Sequence, residues 1–379
     1  MGHTVNVYTR RPAEWKTGES ILCECTDGLT GEVIEMHKGK VNLASNNPTD
    51  VIPEADIIVF CMPVHQYRPV LDQIAPHVSN DKEVFIGTIF GQAMFDQMVK
   101  HSVIKAYCKT NIVPFAIGQI PWICRTQEYG RRVACYGPKH VNVVAVSPPE
   151  KFEKLDETFL KDISLRPLRK GKFVLASQFL DLTMSADNQT IHPARCYGLW
   201  KQSGGSWAKG EVPYFYRDFN KESADILESL DGEYEKIRNA IKAKFPDKNF
   251  EYMLSYTELE RLNHQSDHVD ILVSLKDSVQ LASIKTPVAE GADGRMYLDK
   301  DFRFFLDDIP YGLLIAKSFA EMLHVDTPLI DEVIGWAQSL RNEKFLVDGK
   351  INKEFCFNEK YLCGIPEVYG VQSMEELVQ

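Results

Sequence analysis

The stretch that decides the fold is Asp-Ile-Ile-Val-Phe-Cys-Met-Pro, residues 56–63. It contains an uninterrupted apolar run at residues 57–62, which is typical of a parallel β-strand covered on both faces. The proline at its end predicts a turn, and Val70, Leu71 and Ile74 then recur at helical spacing. The stretch therefore predicts one strand–turn–helix step of an α/β domain.

The rest of the first half repeats this alternation of strands and helices. Further short strands are expected at residues 5–9, 21–25, 32–36, 83–88, 105–108, 132–136 and 141–146. Strands that alternate with helices in this way predict a Rossmann-like α/β domain with a doubly wound sheet.

The second half has a different pattern, in which long helical periods take over. Helices are expected at residues 224–243, 256–262, 309–323 and 329–340. We therefore predict two domains. The first is a dinucleotide-binding, Rossmann-like domain at residues 1–182, and the second is a mostly α-helical domain for substrate binding and catalysis at residues 183–379.

Composition and charge limit the class of protein. The chain has 379 residues, of which 44% are hydrophobic and 25% are charged, as in ordinary globular proteins. Its net charge of −10 argues against nucleic acid or an anionic membrane as a partner. No apolar run approaches the roughly 20 residues of a membrane-spanning helix. We expect a monomer or weak homodimer that binds small molecules, with neither a nucleic-acid nor a membrane partner.

The cysteines and histidines do not predict a metal site. Nine cysteines are scattered over the chain, which fits free thiols in a reducing compartment. Cys23-Glu24-Cys25 has no second pair of ligands nearby, and the helically spaced pair His264 and His268 has no third ligand. We therefore expect a cytoplasmic protein without a bound metal.

The usual opening of a dinucleotide-binding domain is missing. Such a domain begins with a strand, a G-x-G-x-x-G turn and a helix, and the turn binds the pyrophosphate. No G-x-G-x-x-G occurs in the chain, and Gly2-His3-Thr4-Val5 looks like the start of the second strand. The sequence therefore predicts one of two things. Either this is an N-terminally incomplete copy, without the first strand, glycine loop and helix, or the chain binds a nucleotide poorly or not at all.

Two groups of residues are candidates for contacts with a dinucleotide cofactor. The first predicted strand would end at the adenosine ribose, where an acidic residue favours NAD and arginine favours the 2′-phosphate of NADP. Thr9, Arg10 and Arg11 at this end favour NADP over NAD. Pro63 and His65 follow a buried strand at the edge that faces the cofactor crevice, so they are candidate contacts of the nicotinamide.

A series of ordered motifs carries a resemblance to a known family. These are Ile120-Pro-Trp-Ile-Cys-Arg125, Glu128-Tyr-Gly-Arg131, His192-Pro193, Gly198-Leu-Trp200, Phe215-Tyr216, Ala224-Asp225, Arg303, Asp308-Ile-Pro310 with Gly312, Trp336-Ala-Gln338 and Phe345-Leu-Val-Asp-Gly349. Over nearly its whole length the chain resembles the opine dehydrogenases of the octopine and nopaline dehydrogenase type. The resemblance implies an enzyme that uses a nicotinamide cofactor to condense a 2-keto acid, such as pyruvate, with the amino group of an amino acid, and that reduces the resulting imine.

The resemblance also implies roles for single residues. It places an acid–base pair at His192 and Asp308, a clamp for a substrate carboxylate at Arg303, and a keto-acid contact at Gln92. Histidine gives and takes a proton near neutral pH, and a carboxylate on its other ring nitrogen would orient it. An arginine can hold a carboxylate through two parallel hydrogen bonds.

The residues taken alone also have a structural interpretation. His192 precedes Pro193 at the predicted start of a helix. Asp307 or Asp308 could cap the helix that begins with Ile309-Pro310. A capping role and a catalytic role both stay open at this point.

Two residues beside the motif at residues 120–125 are candidates for the keto-acid side of the site. Gln119 stands where octopine-type relatives carry a hydroxyl residue near the keto acid. Cys124 either packs in the core or lies at the keto acid. Neither residue identifies the pair of substrates.

Two other functions are alternatives to this one. A keto-acid or 2-hydroxy-acid dehydrogenase of the same two-domain type would reduce the keto acid without an amine. A nucleotide-free homologue without activity would act as a binding protein. Turnover with and without an amino acid tests the first alternative, and titration with NADH and NADPH tests the second.

Overall fold

The computed structural model describes residues 2–27, 30–164, 171–268, 270–278, 281–358 and 360–378. The chain divides into two compact units. The first unit comprises Met1–Cys61, Tyr67–Gly91 and Phe95–Phe179, and the second comprises Met62–Gln66, Gln92–Met94 and Leu180–Gln379. Among the described residues, no helix combines the length and the apolar character needed to span a bilayer. All nine cysteines are free thiols.

The first unit is built on a five-stranded sheet. The strand order is Lys172–Leu175, Val141–Val146, Ile112–Ile117, Val84–Thr88 and Ile57–Phe60. The last three strands are mutually parallel, whereas Val141–Val146 is antiparallel to its neighbour Ile112–Ile117. Ile57–Phe60, in the apolar run at residues 57–62, is therefore a sheet strand, as predicted, and its side chains are buried or half-buried.

Two further sheets complete the strands of the first unit. One has four strands, in the order Val33–Lys40, Ser20–Thr26, Arg132–Pro138 and Trp122–Glu128. The other pairs Asn6–Tyr8 in parallel with Leu43–Ser45. The predicted strand at residues 132–136 exists, but its expected place in the main α/β series is wrong, because it pairs with Ser20–Thr26 in the separate sheet.

One predicted strand of the first unit is wrong and one was missed. Residues 105–108 were expected to form a strand, but a π-helical stretch, Lys100–Lys105, continues the helix Phe95–Val99 into this segment. Phe95, Val99 and Val103 recur every four residues and are buried, which favours a helix. The strand Ile112–Ile117 was missed because Pro114 argues against a strand inside a sheet.

The helices of the first unit connect these strands. They are Pro48–Val51, Tyr67–Ile74, Phe95–Val99, Phe152–Leu155 and Lys161–Ser164. Leu155 and Leu160 pack with Phe85, Phe115 and Val144 in a core cluster against the main sheet.

The second unit is mostly helical, as the sequence pattern predicts. Its helices begin with Phe179–Met184 and continue with Asn188–Ser203, Lys221–Lys244, Tyr256–His264, Ile271–Asp277, Arg303–Leu306, Leu314–Leu323, Pro328–Arg341 and Lys353–Asn358. Two small sheets accompany them, formed by Ser206–Trp207, Met296–Leu298 and Val288–Glu290, and by Leu346–Val347 with Lys350–Ile351.

Two glycines let neighbouring elements of the second unit approach the helix Asn188–Ser203 closely. A Cβ atom at Gly198 would lie 2.4 Å from the Oγ atom of Ser223. A Cβ atom at Gly312, in the π-helical turn Ile309–Leu313, would lie 2.4 Å from the Cβ atom of Gln189. The glycines therefore permit the close packing that brings this turn against the helix that carries His192.

Candidate active site

His192 lies inside the helix Asn188–Ser203 rather than at its start. The predicted helix start at Pro193 is therefore wrong, because the helix already begins at Asn188, and Pro193 lies within it. Proline has no N–H group, so the helix lacks the hydrogen bond that residue 193 would otherwise donate. The side chain of His192 is almost fully buried, with 1% exposed.

Asp308 is the partner of His192. The Nδ1 atom of His192 lies 2.7 Å from the Oδ2 atom of Asp308, and both side chains are buried. Asp308 does occupy the position just before the π-helical turn Ile309–Leu313, but its side chain makes no capping hydrogen bond. The Asp308 carboxylate binds the His192 ring instead, where it can fix the tautomer and the ring orientation.

Tyr216 and Phe304 complete the surroundings of His192. The Tyr216 hydroxyl lies 3.0 Å from the Nε2 atom of His192. The imidazole ring stacks on Phe304 with 3.8 Å between ring centroids and 25° between planes. Both ring nitrogens and one face of the ring are thus in contact with other side chains.

Burial and nearby charges move the pKa values of the His–Asp pair. Burial lowers the pKa of His192 well below its usual range, the charge of Arg303 lowers it further, and Asp187 and Asp307 raise it in part. Burial, followed by the charge of Asp307, raises the pKa of the Asp308 carboxyl, which Arg303 opposes. The His192 imidazole is therefore neutral near pH 7 and able to accept a proton.

Arg303 lies at the start of the helix Arg303–Leu306 and is exposed. The Cζ atom of its guanidinium lies 5.1 Å from the ring centroid of Phe304, the ring on which His192 stacks. Within the described parts of the chain, Arg303 forms no salt bridge. An exposed guanidinium without a protein carboxylate can bind the carboxylate of a small molecule.

Asp307 holds a second histidine, His65. Its Oδ1 atom accepts a hydrogen bond from the backbone N–H of His65 at 2.9 Å and lies 2.6 Å from the Nδ1 atom of the ring. His65 and Pro63 belong to the segment Met62–Gln66, which is part of the second unit. The consecutive residues Asp307 and Asp308 therefore bind one histidine each.

Gln92 has a buried amide group without a partner. It is 3% exposed, and neither its Oε1 nor its Nε2 atom has a hydrogen-bond partner among the described residues. The next two residues, Ala93 and Met94, have φ angles of 68° and 58°, a left-handed conformation that non-glycine residues rarely adopt. Buried unpaired polar groups and strained backbone both concentrate at functional sites.

The comparisons with known proteins agree with this geometry. Residues 175–341 match the family model described as NAD/NADP octopine/nopaline dehydrogenase, alpha-helical domain. The opine dehydrogenase of Haliotis discus hannai is 26% identical over 360 residues, which cover 93% of this chain and 84% of that protein. The octopine dehydrogenase of Pecten maximus is 26% identical over 366 residues, 95% of this chain and 86% of that protein. Residues 175–341 therefore match the helical domain of this family, and the similarity to opine and octopine dehydrogenases extends over most of the chain.

The fold is also that of the family. A structure of octopine dehydrogenase in complex with NADH and agmatine superposes with a TM-score of 0.79 at 21% identity. The match covers 100% of this chain and 92% of that one. The predicted family and fold class, a Rossmann-like domain followed by a mostly helical domain, are confirmed.

The cofactor candidates Thr9, Arg10 and Arg11 lie in the first unit. Thr9, Arg10 and Arg11 directly follow the strand Asn6–Tyr8. The Arg11 guanidinium lies 3.8 Å from the ring centroid of Tyr129 and 3.3 Å from the carboxylate of Glu14. Arg10 is exposed and forms no salt bridge with any described residue. Within the described ranges, Arg10 is therefore the one of the two arginines whose charge is not paired.

Gln119 and Cys124 also belong to the first unit, whereas His192 belongs to the second. The Oε1 atom of Gln119 accepts a hydrogen bond from the Nζ atom of Lys139 at 2.7 Å. Cys124 lies on the strand Trp122–Glu128 opposite Cys135. The Cys135 thiol and burial raise the pKa of Cys124, so this thiol stays protonated. Their roles at the keto acid stay predictions.

Three contacts of the site were missed by sequence reasoning. Tyr216 appeared only as part of a motif, and Asp307 only as a helix cap. Arg195, three residues after His192 on the same helix, was not singled out. Its buried guanidinium donates hydrogen bonds to the backbone carbonyls of Tyr214, Phe215 and Asp218, on both sides of Tyr216. The sequence contained one signal for Arg195. Residues three apart on a helix lie on the same face, so the helical spacing places Arg195 on the same face as His192.

Proposed function

We propose that this protein condenses a 2-keto acid with the amino group of an amino acid and reduces the product with NADPH or NADH. The observation that supports this most is the buried His192–Asp308 pair beside the guanidinium of Arg303, which forms no salt bridge with the residues that the structure describes. This set joins a group that exchanges protons near neutral pH with a group that binds a carboxylate. Reductive condensation of two carboxylate-bearing substrates needs both.

Some residues of the chain suit contacts with a nicotinamide dinucleotide. Arg10 follows the strand Asn6–Tyr8 and has no salt-bridge partner in the described part of the chain, so it would hold the 2′-phosphate of NADP. Pro63 and His65 follow the strand Ile57–Phe60 of the parallel sheet, at the end where such sheets bind ligands. No glycine-rich pyrophosphate loop occurs in these 379 residues. A bound nicotinamide cofactor supplies the hydride.

The protein's own residues would manage the remaining chemistry. Arg303 and Gln92 would hold the keto acid, through its carboxylate and its polar oxygens, so that its carbonyl carbon faces the amine. The amine attacks this carbon and gives a carbinolamine, which must lose its hydroxyl group as water. That loss needs one proton at the hydroxyl oxygen, and the His192–Asp308 pair would provide it.

The test of this proposal is a turnover assay with and without an amine. Purified protein is supplied with NADPH or NADH, a set of 2-keto acids, and amino acids in turn. We expect cofactor oxidation that depends on both substrates and a secondary-amine dicarboxylate as the product. Equal oxidation by a keto acid alone, with a 2-hydroxy acid as the product, would identify the alternative dehydrogenase.

Replacing Gln92 by Met should have opposite effects on stability and on substrate binding. The buried amide without a partner costs free energy in the ligand-free protein, so the free energy of unfolding should rise by about 1 kcal/mol. The KM for the keto acid should rise about tenfold, since the amide no longer binds it. Urea denaturation and initial rates measure the two effects.

Gln97 provides the matched control for this substitution. It is also buried, but its Nε2 atom donates to Asp96 at 2.7 Å. Gln97→Met should therefore lower the free energy of unfolding. A lower stability for Gln92→Met as well, or an unchanged KM, would contradict the proposed binding role of Gln92.

The oxidation of the secondary amine should keep its rate in mildly acidic solution. That direction needs neutral His192 as a proton acceptor, and burial lowers the pKa of this residue below its usual 6.5. A lowered pKa keeps the base unprotonated at lower pH. We expect kcat/KM to stay level from about pH 8 to about pH 6.5 and to fall only below that. An acidic limb centred above pH 6.5 would disagree with the buried neutral imidazole.

A further inference from the structure

His192 is closed off from any substrate by the side chains around it. Its Nδ1 atom is bound to Asp308, its Nε2 atom lies 3.0 Å from the Tyr216 hydroxyl, and only 1% of the residue is exposed. Phe304 covers one face of the ring, and Phe215 contacts it edge-on with 5.7 Å between centroids. A proton can therefore leave or reach the Nε2 atom only through the Tyr216 hydroxyl, or after Tyr216 has moved away.

The position of Tyr216 is held by Arg195, which is fully buried. The Nε atom of Arg195 donates to the carbonyl of Phe215 at 2.9 Å, and its Nη2 atom donates to the carbonyls of Tyr214 and Asp218 at 3.2 and 2.7 Å. These bonds lie on both sides of Tyr216 in the chain. The backbone at Tyr216 is therefore fixed by a planar group with several donors, so displacing the hydroxyl would disturb a buried network.

We propose that the Tyr216 hydroxyl passes the proton between the substrate and His192. The proposal rests on the proposed function and adds to it the residue that touches the reacting oxygen. Asp308, His192 and Tyr216 then form one relay, in which Asp308 orients the imidazole, His192 stores the proton, and Tyr216 delivers it.

The proposed step balances as follows. The Tyr216 O–H proton moves to the hydroxyl oxygen of the carbinolamine as its C–O bond breaks, and water leaves. The Nε2–H proton of the imidazolium moves to the Tyr216 oxygen in the same event, so the phenol is restored and His192 becomes neutral. The neutral imidazole takes up this proton beforehand, through Tyr216, from the ammonium group of the amino acid, which thereby becomes the attacking amine. The lone pair of the substrate nitrogen forms the C=N bond, and no oxidant or reductant takes part in this step.

The test is a double-mutant cycle with His192→Asn and Tyr216→Phe, after wild-type turnover has been established. We expect Tyr216→Phe to lower kcat about 100-fold while KM for the keto acid changes little. Because the two residues act as one relay, the double variant should be no more than about threefold slower than His192→Asn alone. Tyr214→Phe is the matched control and should keep wild-type activity, because the Tyr214 ring stacks on Arg217 outside the relay.

A second measurement does not depend on turnover. In ¹⁵N NMR spectra of histidine-labelled protein, the Nε2 resonance of His192 should shift to the frequency of a nitrogen without a hydrogen-bond donor in Tyr216→Phe, and Tyr214→Phe should leave it in place. Tyr216→Phe activity within about threefold of wild type, additive losses in the cycle, or an unmoved Nε2 resonance would each overturn the relay. An inactive wild-type protein with the NMR shift present would instead count against the proposed function.

Discussion

Replacing His192 by Asn is expected to lower kcat for the reductive condensation by about three orders of magnitude or more. Asn can keep a hydrogen bond to Asp308 at a similar place, but it cannot take up or release a proton near neutral pH. The loss should appear in kcat more than in KM, because Arg303 and Gln92 are left unchanged to bind substrate. Initial rates with saturating keto acid, amino acid and cofactor measure it.

His77→Asn is the control for this prediction. His77 lies on the turn Ala75–His77 of the first unit and is not among the side chains that contact His192, which are Asp308, Tyr216, Phe215 and Phe304. It should keep the wild-type rate. If His192→Asn retained a rate near that of wild type while His77→Asn behaved as expected, His192 would not be the acid–base residue.

Replacing Arg195 by Met is expected to lower the free energy of unfolding by about 3–5 kcal/mol. Its guanidinium is the donor for the backbone carbonyls of Tyr214, Phe215 and Asp218, and for the Oγ atom of Ser223 at 3.2 Å. Methionine fills a similar volume but leaves these buried acceptors without their donor. A buried group left unsatisfied costs its full desolvation, which exceeds the mean value of one hydrogen bond.

Urea denaturation followed by tryptophan fluorescence measures this loss. The midpoint should shift strongly to lower urea, whereas Arg217→Met, which removes an exposed guanidinium stacked on Tyr214, should shift it little. Burial lowers the pKa of Arg195 to about 10, so the guanidinium still carries its charge at neutral pH. A midpoint for Arg195→Met close to wild type would show that other contacts fix the backbone at residues 214–218.

The parts of the fold that sequence could predict are those with a strong local period. Ile57–Phe60, the first four residues of the run at 57–62, form a strand because consecutive apolar side chains need cover on both faces. The helix Lys221–Lys244 follows from apolar side chains that recur every three to four residues. The strand Ile112–Ile117 was not predicted, because Pro114 argues against a strand inside a sheet. It forms because the neighbouring strands on both sides pair with it.

The site could be predicted in part, from family motifs rather than from a local period. His192 and Asp308 are 116 residues apart, so only the family motifs pointed to both. The contact of His65 with Asp307 spans 242 residues and has no local signal at either end. Tyr216 is an ordinary core residue by type, and the sequence does not show that Arg195 is fully buried. The significance of both lies in which atoms they meet after folding. The periodic spacing of apolar residues does not show which atoms of distant residues meet in the folded protein.

In the proposed reaction, hydride reaches a carbon that has already joined to nitrogen. Reduced cofactor deuterated at the transferring position of the nicotinamide, supplied with a keto acid and an amino acid, tests it by mass spectrometry and NMR of the products. We predict one deuterium atom in a secondary-amine dicarboxylate, on the former carbonyl carbon. Deuterium found instead in a 2-hydroxy acid, at the same rate whether or not the amino acid is present, would contradict the account.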